Sequence, residues 1–264
     1  MTIGCDVLRR PFPAFFLSFS VMGSLLILAL LVPLVVILIS SSPADVVKSL
    51  RDSEVVGAII VSMSAATLAT CIALIFGVPL AYVFARKEFR LKSLLESIVE
   101  FPIVVPHSVA GIMILLAYHS RTPIGHILSN LGVAIEDSFW GITAAMLFVS
   151  APILVSTVRA GFSLVDESYE HVARTLGASQ LKVFFTISLP LAFRSVLSGA
   201  ILTWARSISE VGAILIIAPY PKSAAVLVLE RFEAFGLTAA KPLTVLLVVI
   251  SLAIFVLLRL ITKR

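Results

Sequence analysis

Residues 55–85 read VVGAIIVSMSAATLATCIALIFGVPLAYVFA, a run from Val55 to Ala85 without one Asp, Glu, Lys or Arg. The hydrocarbon core of a bilayer is about 30 Å thick and takes about 20 apolar residues as a helix. This run is longer than that, so the chain is expected to reside in lipid. Composition points the same way. Of the 264 residues, 59% are hydrophobic and 13% charged, against roughly 45–50% and 25% in soluble domains. With a mean hydropathy of +1.11, no core of this size hides the apolar surface, and much of it must face lipid. Disorder is excluded, and a net charge of +5 spread along the chain gives no footprint for nucleic acid.

Working outward from that run, the same length standard gives six expected spans. They are approximately Phe16 to Ile39, Val55 to Ala85, Ile98 to Tyr118, Phe139 to Val158, Ser195 to Ile217 and Leu243 to Leu260. Pro102 and Pro106 interrupt the start of the third, which makes it the weakest. Pro33, Pro79 and Pro152 are tolerable inside spans where neighbouring helices satisfy freed carbonyls, and they mark places to bend. The first run is longer than the apolar part of a signal peptide and no small-residue cleavage pattern follows it. It is therefore expected to remain as a membrane helix. The fold class expected is an all-α membrane protein with six transmembrane helices.

Arg9, Arg10, Arg86, Lys87, Arg90, Lys92, Arg159, Arg174, Lys182, Arg194, Arg259, Lys263 and Arg264 fall on one side of this arrangement. Only Lys48, Arg51, Arg121, Lys222, Arg231 and Lys241 fall on the other. Positive residues are retained in the cytoplasm, so both termini are expected there. Cys5 and Cys71 stand alone, with no CxxC and no metal-binding cluster.

The longest cytoplasmic connection, 159–194, carries its own helix. Asp166 can cap its start, Glu167 and Glu170 suit the positive first turn, and Gly177 can close it in the left-handed conformation. Tyr169, Val172, Ala173 and Leu176 form one apolar stripe. Glu170 and Arg174, four apart, are expected to pair for a few tenths of a kcal/mol. The stripe needs a cover, either the protein's own membrane region or the interface, or else a cytoplasmic partner.

The fifth span raises a second question. An Arg and a Glu at mid-helix cost about 2.5–3.5 kcal/mol each on insertion scales. Arg206 and Glu210 are therefore expected to face the interior and partly neutralise one another, with Ser207, Ser209 and Gly212 beside them. The pair either pins the bundle or lines a pathway whose arginine attracts an anion. His107, following Pro106, either lines that path or is a satisfied packing residue.

These stretches resemble the permeases of ABC importers. The run Tyr169-Glu170-His171-Val172-Ala173-Arg174-Thr175-Leu176-Gly177-Ala178 with the later Ile187-Ser188-Leu189-Pro190 is similar to their EAA loop. Aligned on Gly177, the family's E-A-A falls on His171-Val172-Ala173, so only the last alanine is kept and Glu170 precedes the usual position. The stretch Ala205-Arg206 to Glu210-Val211-Gly212-Ala213 and the stretch Phe101-Pro102 to Gly111 resemble the molybdate, tungstate and sulfate permeases.

The resemblance implies a tail, first helix and outer loop in 1–54 and a type I transmembrane domain in 55–264. It implies that Tyr169, Glu170, His171, Val172, Ala173, Arg174, Leu176, Gly177 and Ala178 couple to an ATPase; Arg206, Ser209, Glu210 and His107 are, from their own chemistry, the candidates to line the pathway or gate. The implied partners are a second copy, two ABC ATPase subunits, an extracytoplasmic oxyanion-binding protein and the bilayer. The implied location is the cell membrane and the implied cargo molybdate or tungstate ahead of sulfate. No G-x-x-x-x-G-K-[ST] occurs, so ATP is expected on a separate subunit and no cofactor or metal here. An intramembrane serine protease fails at its nucleophile, because Val196-Leu197 precedes Ser198-Gly199. Two further alternatives stay open: an ion-coupled secondary anion carrier using Arg206 and Glu210, and a scaffold without transport.

Overall fold

A computed structural model describes residues 14–262; Cys5, Arg9, Arg10, Lys263 and Arg264 lie outside the described residues. All regular structure among the described residues is helical. Helix α1 (Ala14–Ile39) and short α2 (Pro43–Arg51) lead into α3 (Ser53–Arg86), which contains the long uncharged run. Helix α4 (Lys92–Glu100), a 3-10 turn at Phe101–Ile103 and α5 (His107–Tyr118) follow, then α6 (Pro123–Asn130) and α7 (Phe139–Ser163). The chain continues through α8 (Ser168–Thr175), α9 (Gln180–Val183), a π-turn at Phe184–Ser188 and α10 (Leu189–Ile208). It ends with α11 (Gly212–Ile217), α12 (Ala224–Phe235) and α13 (Leu237–Thr262). Five helical stretches are long and apolar enough to cross a bilayer, or six when the bent α4–α5 pair counts as one.

Two spans differ from the sequence expectation. The third turns by 114° between Lys92–Ile103 and His107–Tyr118. Pro106, at φ −55° and ψ 137°, leaves the helical conformation and gives no N–H to the preceding turn. The fifth, expected as one helix from Ser195 to Ile217, instead begins at Gln180, passes the π-turn and stops at Ile208. Helix resumes only at Gly212. Glu210 causes the restart, because its Oε1 accepts the backbone N–H of Ala213 at 2.9 Å and so takes over a first-turn donor. Arg206 and Glu210 thus sit at a helix end and in a break, not at mid-helix. By contrast α1, α3 and α7 run on through Pro33, Pro79 and Pro152.

Helix α3 buries a stripe of small residues, Ala58, Ser62, Ala65, Ala69, Ala73, Gly77 and Ala81. Spacings of three and four put them on one face, and their size lets a neighbouring backbone come close. Helix α7 occupies that face from Ala65 to Ala81, while Ala58 and Ser62 meet α12 and α13; α7 is the most enclosed span, with 61% of its most apolar window buried, and for α1 the figure is 0%. Helix α1 is apolar all round and exposed on every side, the pattern of a helix set in lipid.

Two cores lie along the α3–α7 seam. One gathers Ile114, Ile142, Met146, Ile214 and Ile217 around Ala65 and Ala69. The other gathers Leu154, Phe162, Ala192 and Val196 around Val78 and Ala81. At the far end of α3, Asp52 caps the helix by accepting the Glu54 N–H at 3.0 Å. Lys222 there bonds Glu54 and Glu230, each at 2.8 Å, and Arg231 reaches Asp52 at 2.6 Å. The Arg231 hydrogen bond is the main cause that holds the Asp52 carboxyl below its ordinary range.

The α7–α10 crossing makes the packing testable. A Cβ at Gly161 would collide with Cβ and Oγ of Ser195 on α10. Gly161→Ala is expected to cost about 1–3 kcal/mol through overpacking, read as a lower melting temperature in detergent. Gly57→Ala, with nothing within 4 Å, is expected to leave melting unchanged or slightly raised, as alanine favours helix. Equal curves for the two variants would show that α7 and α10 do not meet at Gly161.

Candidate functional site

Helix α8 begins at Ser168, with Glu167 at the cap position. The expected cap, Asp166, acts from one residue further back, where its Oδ1 accepts the Ser168 N–H at 2.8 Å. That backbone hydrogen bond holds its carboxyl below the ordinary value. The helix ends as anticipated. Gly177 has φ +87°, its N–H donates to Arg174 O at 3.0 Å, and the Ala178 N–H donates to Ala173 O at 3.0 Å. This is the doubly bonded left-handed stop that satisfies the last carbonyls of a helix.

The apolar stripe is left open. Tyr169 is 58% exposed, Val172 59% and Leu176 83%, so the protein's own membrane region does not cover it. His171 and Arg174 are also exposed, whereas Ala173 and Ala178 are half-buried. Glu170 points the other way and is only 8% exposed. Its carboxylate accepts from Arg86 Nε at 2.8 Å, from the Tyr82 hydroxyl at 2.8 Å and from the Ser188 hydroxyl at 2.9 Å. The expected Glu170–Arg174 pair is therefore corrected. Three inward donors outbid one exposed cation, since hydrogen bonds from charged groups in a buried setting are the stronger ones. Burial alone would raise the Glu170 carboxyl, but hydrogen bonds from Arg86, Tyr82 and Ser188 outweigh it and hold the pKa below its usual value.

A second cluster forms where the two broken spans meet. A Cβ at Gly212 would lie 2.7 Å from His107 Cβ, and one at Gly111 would lie 2.9 Å from Ala213 O, so α5 and α11 cross closely. The crossing brings all four expected residues together. Arg206 Nη2 lies 3.2 Å from Glu210 Oε2 and 3.1 Å from both ring nitrogens of His107. His107 Nδ1 is 3.0 Å from the same Glu210 oxygen, and Arg206 Nη1 donates to Ser209 Oγ at 3.1 Å. The Glu210 side chain is 1% exposed and that of Arg206 24%. The half-buried arginine is thus neutralised locally while one edge stays open.

Sequence reasoning placed the stripe, the glycine stop and the four cluster residues, but missed Tyr82, Arg86 and Ser188. A signal for them existed. Tyr82 and Arg86 are four apart at the end of a span, so they share one face, and Ser188 stands inside Ile187-Ser188-Leu189-Pro190.

Comparison with known proteins fixes the family. A model of the binding-protein-dependent transport system inner membrane component family matches residues 73–264. The molybdate/tungstate transport system permease protein of Pyrococcus abyssi is 52% identical over 244 residues, covering 91% of this chain and 93% of that one. That of Thermococcus kodakarensis is 51% identical over 248 residues, covering 93% and 95%. A bacterial ABC transporter involved in the import of the acidic polysaccharide alginate superposes with a TM-score of 0.67 at 14% identity, covering 94% of this chain and 98% of that one. At that identity the likeness speaks for the fold alone. The chain belongs to the binding-protein-dependent transport system inner membrane component family, as a multi-pass membrane permease subunit and not an enzyme.

Proposed function

We propose that the chain is the pathway-forming subunit of an ATP-driven importer of tetrahedral oxyanions, with molybdate or tungstate preferred over sulfate. The observation that carries this reading is α8: a helix whose buried side is tied to two spans and whose apolar side, Tyr169, Val172 and Leu176, stays mostly exposed. An exposed apolar knob rimmed by His171 and Arg174 fits a cleft on another protein. In this family context that protein is an ABC ATPase. The preference for molybdate or tungstate is supported by the relatives at 52% and 51% identity.

Two copies pair about a two-fold axis, the commonest closed assembly, and enclose one route. Two ATPases dock on the two α8 helices, which lie on the cytoplasmic side by the distribution of Lys and Arg. An extracytoplasmic binding protein delivers the anion to the opposite end and carries most of the selectivity. The Arg206–His107–Ser209–Glu210 cluster is the gate. Arg206 attracts the anion, and Glu210 keeps its charge compensated when no anion is present. Closure of the ATPases on ATP draws the docking helices together and opens the route outward, and hydrolysis resets it.

Vesicles holding this chain, its ATPase and its binding protein are expected to take up radiolabelled tungstate and molybdate better than sulfate, and only with ATP and all three components. Uptake by the chain alone would sink the importer reading. Gly177→Val is expected to weaken ATPase co-purification while leaving membrane insertion intact. A new Cβ there meets nothing within 4 Å, so the loss comes from the backbone alone, where a left-handed β-branched residue costs about 1–3 kcal/mol. Equal recovery of ATPase with variant and parent would refute it. Arg206→Ala alone is expected to destabilise more than Arg206→Ala with Glu210→Gln, because the single change leaves a carboxylate that is 1% exposed without its permanent cation, whereas the glutamine still accepts the Ala213 N–H. A less stable double variant would rule out the internal pair.

A further inference from the structure

We propose that Glu170 is a positioning residue that locks α8 to α3 and α10, so that the docking helix and both spans move as one body. The inference rests on the docking role assigned to α8. The resemblance to importer permeases puts the usual glutamate at the position of His171, which is exposed here. Glu170 does a different job, because its carboxylate faces inward and its three partners come from two segments distant in sequence. Tyr82 and Arg86 belong to the last turns of α3, and Ser188 closes the π-turn at the head of α10. Arg86 extends the network by donating from Nη2 to Val165 O at 2.9 Å, which ties in the link from α7 to α8. One carboxylate thereby joins four stretches of chain.

The donors are themselves fixed in place. The Tyr82 ring lies edge-on to Phe162, with centroids 5.2 Å apart, and to Phe184 at 5.0 Å. Its hydroxyl is thus aimed by α7 and the π-turn together. The Arg86 side chain is 6% exposed and Ser188 is fully buried. A π-turn adds a residue to the helical circuit, and here the turn ends on Ser188 with its hydroxyl against Glu170. Helix α8 needs such an anchor, since a helix of two turns has little stability alone and its opposite face is open. Without the carboxylate, α8 keeps its docking face and its Gly177 stop but hangs on flexible links. A push on it would then be absorbed before reaching α3 or α10.

The test uses the permease in nanodiscs with its ATPase, comparing parent, Glu170→Ala and Tyr82→Phe. Both variants are expected to retain the ATPase and its hydrolysis, because Tyr169, Val172 and Leu176 are untouched. Anion moved per ATP hydrolysed is expected to fall about tenfold in Glu170→Ala, within the usual range of coupling between two sites, and less in Tyr82→Phe, which keeps two of the three donors. A second reading needs no ATPase. With Cys5 and Cys71 replaced by serine, spin labels at positions 87 and 171 are expected to give a narrow distance distribution in the parent and a broad one in Glu170→Ala. An unchanged distribution, or unchanged transport per ATP, overturns the lock. If Glu170→Ala does not fold, Tyr82→Phe decides by the same two readings. A parent that fails to retain an ATPase refutes the docking reading instead, and the spin-label distances still judge the lock.

Discussion

The close contact between α3 and α7 holds up everything else in the molecule. In hydrocarbon there is no hydrophobic force to drive helices together, so association depends on fit. The stripe of Ala65, Ala69, Ala73, Gly77 and Ala81 supplies that fit for α3. Each functional feature then hangs from one member of the pair. The end of α3 provides Tyr82 and Arg86 for Glu170. Ser150 on α7 meets the Ser207 hydroxyl of α10 at 2.9 Å. Ser156 and Arg159, also on α7, hold the Glu100 and Glu96 carboxylates of α4 at 3.0 and 2.6 Å. The seam therefore sets the relative heights of α8, the bent span and the Arg206–Glu210 cluster.

A second constraint acts on the charges. Lone ionised groups inside a membrane protein are expensive, and each is expected to find a partner. Arg86 with Glu170, Arg159 with Glu96, and Arg206 with Glu210 each answer that demand. These pairs join segments that the backbone alone would leave loose: α8 to α3, α4 to α7, and the two sides of the break after Ile208. The Arg206–Glu210 pair sits where a helix stops being regular, because a break exposes backbone donors that a carboxylate can also serve. Glu210 shows this, taking the Ala213 N–H with one oxygen while the other faces Arg206 and His107.

The spans were legible because lipid demands apolar runs, and length alone then separates a crossing helix from a core helix. The stop at Gly177 was legible because few residues other than glycine tolerate φ +87°. The break in the fifth span was not, since Arg206 to Ala213 satisfies a helical pattern until one knows that Glu210 competes for a backbone donor. The partner of Glu170 was hidden for a related reason. Arg174, four residues on, is what local spacing offers, whereas Arg86 lies 84 residues back in the chain. Burial decided between them, and burial is a property of the packed bundle. The apolar stripe was legible as a pattern, but only the fold reveals that the chain leaves it uncovered.

Helix α10 joins the two candidate sites. It starts beside Ser188, in the network around Glu170, and its last turn carries Arg206, beside the break that holds Glu210. A helix rises about 1.5 Å per residue, so the 18 steps from Ser188 to Arg206 span about 27 Å. Its middle is braced, with Gly199 packed between Leu154, Thr157 and Val158 of α7. Regular helical hydrogen bonding in α10 stops at Ile208. The break that follows is Ser209–Val211, where Glu210 balances Arg206. The same element therefore runs from the buried serine to the broken end, where the irregular backbone and the charged residues of the second cluster coincide.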